Sequence, residues 1–193
     1  MSDLLNEKIL LTVIAACVGA TVSLLVQYFL RRKEEKRIRR TVNRYLSDVI
    51  LPTTITLKQE TNSIRTEINK FDHSLSLGNF PVLNSSVLRS FRIDELYPVY
   101  GDKVSEIVHI MGILDYLKDD EHKPIFVFNE FIELAEDHIN ATLDDEEDPY
   151  SDEYEHFEKC PFMIELRSRV CDKMNDFDVI FDDLAESIKI VIT

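Results

Sequence analysis

Residues 9 to 30 read ILLTVIAACVGATVSLLVQYFL, a run of 22 residues without a charged side chain. As a helix rising about 1.5 Å per residue the run is about 33 Å long, which is enough to cross a hydrocarbon core of about 30 Å. A cleaved signal peptide carries its bases before a shorter apolar run, whereas here they come after it. The run therefore predicts an uncleaved transmembrane helix, and a buried core helix is the alternative.

The ten residues after this run, RRKEEKRIRR from Arg31 to Arg40, contain seven bases and two acids and carry a net charge of +5. The remaining 153 residues hold 14 bases and 32 acids, a net charge of −18 within a total of −14. The positive-inside rule places Arg31 and everything after it in the cytoplasm, with residues 1–8 as a short tail outside. The basic segment can also attract anionic lipid headgroups.

Small residues follow a regular spacing inside the run. Ala15, Gly19 and Ser23 lie four residues apart, a pattern that lets two membrane helices approach closely. Gln27 is the most polar residue of the run, and its amide would prefer the interior of a helix bundle to lipid. We expect these four residues to support a homo-oligomer, although small residues that simply face lipid would give the same pattern.

The rest of the chain carries apolar residues at helical spacing, and its 4 glycines and 6 prolines are too few for a turn-rich β sandwich. We expect a mostly α fold with at most a minor strand element. Its parts are the transmembrane helix 9–30, a basic juxtamembrane helix 31–51 that ends at Pro52, and one helical cytoplasmic domain at 52–193.

A short heptad repeat follows Pro52. Leu57, Ile64 and Phe71 are seven residues apart, and so are Thr61, Ile68 and Leu75. This spacing indicates either a stripe that contacts another helix of the same chain or a short coiled coil with a second protein.

The composition argues against several classes of partner and binding site. The acidic balance argues against DNA or long RNA as a partner, and the 4 glycines leave little room for a nucleotide-binding fingerprint. The chain contains two ExxH pairs, Glu106 with His109 and Glu153 with His156. A di-iron site would need both pairs and two further glutamates. Solvated surface charge is the simpler interpretation. We therefore predict a protein that is not an enzyme and has no metal or cofactor.

Residues 144–158, DDEEDPYSDEYEHFE, contain nine acids and no base. The segment is typical of a solvated linker. Weak binding of divalent ions or docking to a basic partner are the alternatives, and its aromatic residues favour the second of these.

Asn84 to Arg92, NSSVLRSFR, is the best candidate for anion binding. Ser85 or Ser86 would cap a short helix through Leu88 and Phe91, with Asn84 before it, and the helix start would offer free N–H groups to a phosphate. Arg89 and Arg92 would share one face, and Phe91 could stack on a base. Salt bridges from the arginines to acids such as Asp94 and Glu95 are the alternative.

The order of these parts, a short outside tail, one N-terminal span and a compact cytoplasmic domain, resembles the single-span membrane effectors of bacterial antiphage defence. In particular, it resembles the cyclic-oligoadenylate-gated membrane effector of type III CRISPR systems. The resemblance implies a homotetramer in the bacterial inner membrane whose cytoplasmic domains bind a cyclic oligonucleotide.

The sequence thus predicts a signal-responsive effector or sensor whose cytoplasmic domain binds a ligand and perturbs an oligomeric membrane helix, forming a pore or disrupting the bilayer. A non-catalytic, membrane-anchored scaffold that binds another protein is the first alternative. An enzyme with an unrecognised helical active site is the second.

Overall fold

The computed structural model describes residues 2–70, 83–119, 122–142 and 160–193. Every regular element within these ranges is helical and none of them is a strand, so the predicted mostly α fold is confirmed. The elements are α1 (Ser2–Tyr45), a π-helical turn (Leu46–Ile50), α2 (Leu51–Lys70), α3 (Ser86–Arg89), α4 (Ile93–Tyr100), a 3-10 turn (Gly101–Lys103), α5 (Val104–Tyr116), α6 (Pro124–Thr142) and α7 (Pro161–Ile192).

Helix α1, the π turn and α2 follow one another without a break, so the chain is helical from Ser2 to Lys70. The expectation that this helix ends at Pro52 is therefore wrong. Proline lacks an N–H group, and its ring clashes with the carbonyl four residues earlier in a regular α-helix. Here the N–H of Leu51 bonds to the carbonyl of Leu46, five residues back, so the helix is widened immediately before the ring.

The N-terminal part of α1 stands apart from the rest of the described structure. The large apolar side chains from Val13 to Leu30 are between 50% and 67% exposed, and none of them packs into the core. A core helix of this chain would have buried them. This part of the helix is long and apolar enough to span a membrane.

Helix α7 is the central helix of the bundle. It buries one face along its whole length, and helices α2, α5 and α6 each pack against it. All three run antiparallel to α7, as pairs of side-chain contacts show: Lys58 with Asp182 and Arg65 with Asp178 for α2, Glu106 with Ser187 and His109 with Asp183 for α5, and Glu130 with Lys173 and His138 with Cys160 for α6.

The heptad stripe packs inside the chain. Leu57, Thr61, Ile64 and Ile68 are all buried, and α2 contacts α7 more extensively than any other helix does. The Thr61 hydroxyl donates to the carbonyl of Leu57 at 2.9 Å, so its polar atom is satisfied in the core. Packing within one chain is thus confirmed for these four residues, while Phe71 and Leu75 lie outside the described residues.

The hydrophobic core begins inside the segment predicted as a juxtamembrane helix. Ile38, Val42, Leu46 and Ile50 are at most 3% exposed, and they belong to the same apolar cluster as the bundle. Ile38 follows the last residue of the charge-free run by only eight positions. The bundle therefore packs directly on the helix that emerges from the exposed apolar segment.

Candidate functional site

The segment predicted to bind an anion forms a short helix and a turn. Ser85 is buried at the start of α3, but its hydroxyl donates to Oδ1 of Asp115 on α5, at 2.5 Å, and makes no capping bond. The expectation that Ser85 or Ser86 caps this helix is therefore wrong, because a carboxylate elsewhere in the fold takes the Ser85 hydroxyl. The helix also ends at Arg89, before Phe91.

Asn84 links this segment to the long helix. Its Oδ1 accepts a hydrogen bond from the N–H of Ser86 at 2.7 Å. Its backbone carbonyl accepts a hydrogen bond from the hydroxyl of Tyr45, the last residue of α1. Burial raises the pKa of Tyr45, so this hydroxyl stays protonated and keeps donating at neutral pH. The segment that precedes α3 is thus held against α1.

Both arginines of the segment have acidic neighbours. The Arg89 guanidinium forms an ion pair with Asp115, and Arg92 Nη2 lies 3.0 Å from Oδ2 of Asp94. The salt-bridge alternative is therefore observed for Arg92, whereas the partner of Arg89 is an aspartate that the sequence interpretation did not name. The two side chains remain 60% and 78% exposed, so a larger anion in solution can reach both guanidiniums.

Arg89, Phe91 and Arg92 line an open groove of about 880 Å³. The remaining lining residues are Ile93, Asp94, Tyr97, Pro98 and Met111. Ile93 and Tyr97 are each 59% exposed, so the groove presents apolar and aromatic surface to solvent. Guanidinium groups beside such surface suit a ligand that is both anionic and aromatic. Asn84, Ser85 and Ser86 stand outside the groove lining.

Helix α4 has the groove on one side and α1 on the other. Ile93, Tyr97 and Pro98 line the groove, whereas Val99 and Tyr100 are buried and face the long helix.

Hydrogen bonds from side chains stabilise this contact. Arg39 Nη2 donates to the carbonyl of Val99 at 2.7 Å, and the Tyr100 hydroxyl donates to Oδ1 of Asn43 at 2.7 Å. Burial raises the pKa of Tyr100 to about 12, so this hydroxyl also donates at neutral pH.

Asp115 joins Arg89 and Ser85 in one small polar cluster. The hydrogen bond from Arg89, and then that from Ser85, lowers the pKa of Asp115, and the same ion pair raises the pKa of Arg89. A carboxyl whose pKa is lower in the folded chain than in the unfolded chain adds stability above its unfolded pKa. That contribution is lost as the pH falls through the folded pKa.

The Asp115→Asn variant should therefore be less stable than the parent chain at pH 7, and the difference should shrink as the pH falls below about 4, the ordinary pKa of aspartate. Urea unfolding of the full chain in detergent, followed by circular dichroism at pH 7 and pH 3, measures this. Asp172→Asn, at an exposed position on α7, is the control and should change the free energy of unfolding by no more than about 0.5 kcal/mol. A stability difference that stays constant with pH would contradict the role of Asp115.

The residues predicted for membrane association all lie on the exposed apolar part of α1: Ala15, Gly19, Ser23 and Gln27. Apart from the neighbouring residues and backbone of its own helix, no atom of the described residues lies within 4 Å of the position that a Cβ on Gly19 would take. This face of the helix is therefore open for a second helix to approach, and the association itself stays a prediction.

The first ExxH pair is used in helix packing. His109 Nε2 lies 2.8 Å from Asp183 Oδ2, and Glu106 Oε2 accepts from the hydroxyl of Ser187 at 3.1 Å. In the part of the chain that the structure describes, no three His, Cys, Asp or Glu residues are grouped so that they could hold a metal ion. Glu153, His156 and the acidic segment 144–158 lie outside the described residues.

No family model, curated protein or solved structure matches this chain. Three features of the described structure bear on function: the exposed apolar helix, the groove and the contact of α4 with α1.

Proposed function

We propose that this chain is a single-pass membrane protein that senses a cytoplasmic ligand and passes the signal to its membrane helix without catalysing a reaction. One observation carries the proposal: α4 forms a wall of the groove with Tyr97 and Pro98 and contacts α1 with the next two residues, Val99 and Tyr100. A ligand that moves α4 must therefore change its contacts with the helix that leads into the exposed apolar segment.

The membrane topology in this proposal is supported by charge and exposure. Apolar side chains from Val13 to Leu30 find no cover in the described structure, and lipid would cover them. By the positive-inside rule, the +5 segment from Arg31 to Arg40 favours an orientation with the bundle in the cytoplasm and the N-terminus outside. In a bacterium, this location is the inner membrane.

The chemistry of the groove favours a cyclic oligonucleotide as the ligand. Its phosphates would bind the guanidiniums of Arg89 and Arg92, and its bases would stack on Phe91 or Tyr97. Because the segment after Arg40 has a net charge of −18, two arginines beside one groove are a local exception to its acidity.

Phosphates would also compete with Asp115 and Asp94 for the two guanidiniums. In this proposal the chain has two states, one in which the arginines pair with carboxylates, as in this structure, and one in which they pair with ligand. A ligand that binds these states unequally shifts the balance between them.

The output in this proposal is a change in an assembly of membrane helices. Close approach at Ala15, Gly19 and Ser23 would form a homo-oligomer with Gln27 inside it, and the resemblance to the cyclic-oligoadenylate-gated effector favours a tetramer. A movement of α1 would then open a pore or disrupt the bilayer. Native mass spectrometry of the detergent-solubilised chain tests this step, because a strict monomer would contradict the effector model.

The Arg89→Ala/Arg92→Ala variant should bind cyclic tetra-adenylate at least about 100-fold more weakly than the parent chain. Hydrogen bonds to charged groups contribute about 1.5–3 kcal/mol each, and every 1.4 kcal/mol is tenfold in affinity. Calorimetric titration should use the full chain, because a fragment that starts at Tyr45 would remove the buried residues Ile38 and Val42.

Arg169→Ala is the matched control, because Arg169 is an exposed arginine of α7 whose acidic neighbour, Glu165, lies one turn away on the same helix. This variant should bind like the parent chain. Equal affinity of the double variant would dismiss the groove as the site. Failure of the parent chain to bind cyclic oligoadenylates of any ring size would dismiss this ligand class.

A membrane-anchored scaffold is the second candidate, and the exposure of Ile93 and Tyr97 favours it, since an apolar groove also suits a protein segment. In that case Ile93→Ala/Tyr97→Ala would remove partner binding, whereas Arg89→Ala/Arg92→Ala would leave it nearly unchanged. The two double variants therefore separate the two functions.

A further inference from the structure

The eight bases between residues 31 and 44 fall into two groups. Four have a contact within the chain: Arg31 with Glu35 at 3.3 Å, Arg32 over the ring of Tyr28 at 5.2 Å, Arg37 with Glu34 at 2.5 Å, and Arg39 with the carbonyl of Val99 at 2.7 Å. The other four are exposed and have no hydrogen-bond or ion-pair partner among the described residues: Lys33, Lys36, Arg40 and Arg44.

These four bases without a partner lie on one side of α1. At about 100° per residue, Lys36, Arg40 and Arg44 fall within about 60° of the direction of Lys33, so all four share an arc of about 80°. The buried residues Ile38 and Val42 point about 140° and 180° away from Lys33, toward the bundle. We call Lys33, Lys36, Arg40 and Arg44 the basic stripe, which faces away from the bundle.

The stripe starts at the end of the charge-free run. Counted from Leu30 along the helix axis, Lys33 lies about 4.5 Å and Arg44 about 21 Å beyond that end. The headgroup layer of a bilayer is about 5–7 Å thick on each side, so Lys33 lies within it and Lys36 just beyond it. Tilting the helix toward the stripe lowers all four bases toward the lipid phosphates, and tilting it the other way lifts them off. Membrane helices are tilted by about 20° on average.

We infer that the basic stripe binds the phosphates of anionic phospholipids in the cytoplasmic leaflet and thereby sets the direction in which α1 leans. This inference rests on the membrane topology of the proposed function. Charge supports it as well, because an anionic surface attracts the stripe and repels the acidic remainder of the chain, whose net charge after Arg40 is −18.

The test measures phosphatidylglycerol binding to the full chain by native mass spectrometry from detergent, with phosphatidylcholine as the neutral comparison. In the Lys36→Gln/Arg40→Gln variant, the affinity for phosphatidylglycerol should fall about 30-fold, since each base near the surface contributes about fivefold. Phosphatidylcholine binding should stay unchanged.

Arg31→Gln/Arg32→Gln is the matched control, because it removes the same charge from positions closer to the membrane but off the stripe. It should lose less than about threefold, whereas a diffuse attraction between charges would make it the more damaging variant. An equal loss in both variants would overturn the inference, and so would no loss in either. A stripe that binds single-stranded RNA in preference to phosphatidylglycerol would also overturn it.

Carbonate extraction of membranes separates this inference from the proposed topology. If the parent chain is extracted from membranes, the topology fails and the inference fails with it. If the chain stays integrated but does not prefer phosphatidylglycerol, only the inference fails. Both double variants keep a net charge of +3 between residues 31 and 40, so the positive-inside rule still gives them the orientation of the parent chain.

Discussion

Replacing Phe181 with alanine should lower the free energy of unfolding by about 3–5 kcal/mol, the usual cost of truncating a buried phenylalanine. Phe181 is 1% exposed, and its ring stacks on that of Phe177 with 6.2 Å between the centroids. It lies on α7, the helix against which α2, α5 and α6 all pack. Urea unfolding of the full chain in detergent, followed by circular dichroism at 222 nm, measures the change.

Val179→Ala is the control for this experiment. Val179 lies two residues before Phe181 on the same helix but is 69% exposed, so its truncation should change the free energy of unfolding by no more than about 0.5 kcal/mol. A similarly small effect of Phe181→Ala would contradict the central position of α7.

Replacing Val18 with arginine should lower the fraction of the chain that integrates stably into membranes. Val18 lies near the middle of the charge-free run and is 57% exposed, so in a bilayer the arginine would face the hydrocarbon core. Insertion scales assign about 2.5–3.5 kcal/mol to an arginine at the centre of a membrane helix, and Leu, Ile and Val nearby regain only a few tenths each. The fraction of chain that resists carbonate extraction measures the effect.

The same substitution at Val179 is the matched control, because this valine is also well exposed but lies on the bundle. Val179→Arg should leave integration unchanged. Two results would contradict a lipid contact of α1: the Val18→Arg variant stays integrated, or the parent chain is recovered in the soluble fraction. In either case the apolar surface of α1 would be covered by something other than lipid.

The helical architecture could be predicted because it depends on patterns within single segments. The structure is helical at the charge-free run, at the basic residues after it and at the segments with three-to-four spacing of apolar residues that it describes. The path of the chain at Pro52 could not be predicted in this way. A proline ordinarily ends or kinks a helix, and the π turn that carries the helix past it has no sequence signature that distinguishes it from α-helix.

The candidate site was predicted only in part, because most of it arises from contacts between segments. Arg89, Phe91 and Arg92 can be selected from the sequence because they are basic and aromatic residues in an acidic chain, and they do line one groove. Tyr97 was missed, because the groove exists only where α4 lies beside α5. The partner of Ser85 was missed for the same reason, since Asp115 lies 30 residues further along the chain.

The uninterrupted helix from Ser2 to Lys70 also constrains the length of the chain itself. One residue added or removed between Leu30 and Leu51 would turn everything on one side of the change by about 100° relative to the other side, and would shift it by about 1.5 Å. The π turn already accommodates one residue more than a regular turn holds. The angle between the small-residue face of α1 and the groove is thus determined by the number of residues between them. Substitutions in this segment should therefore be tolerated more readily than single insertions or deletions.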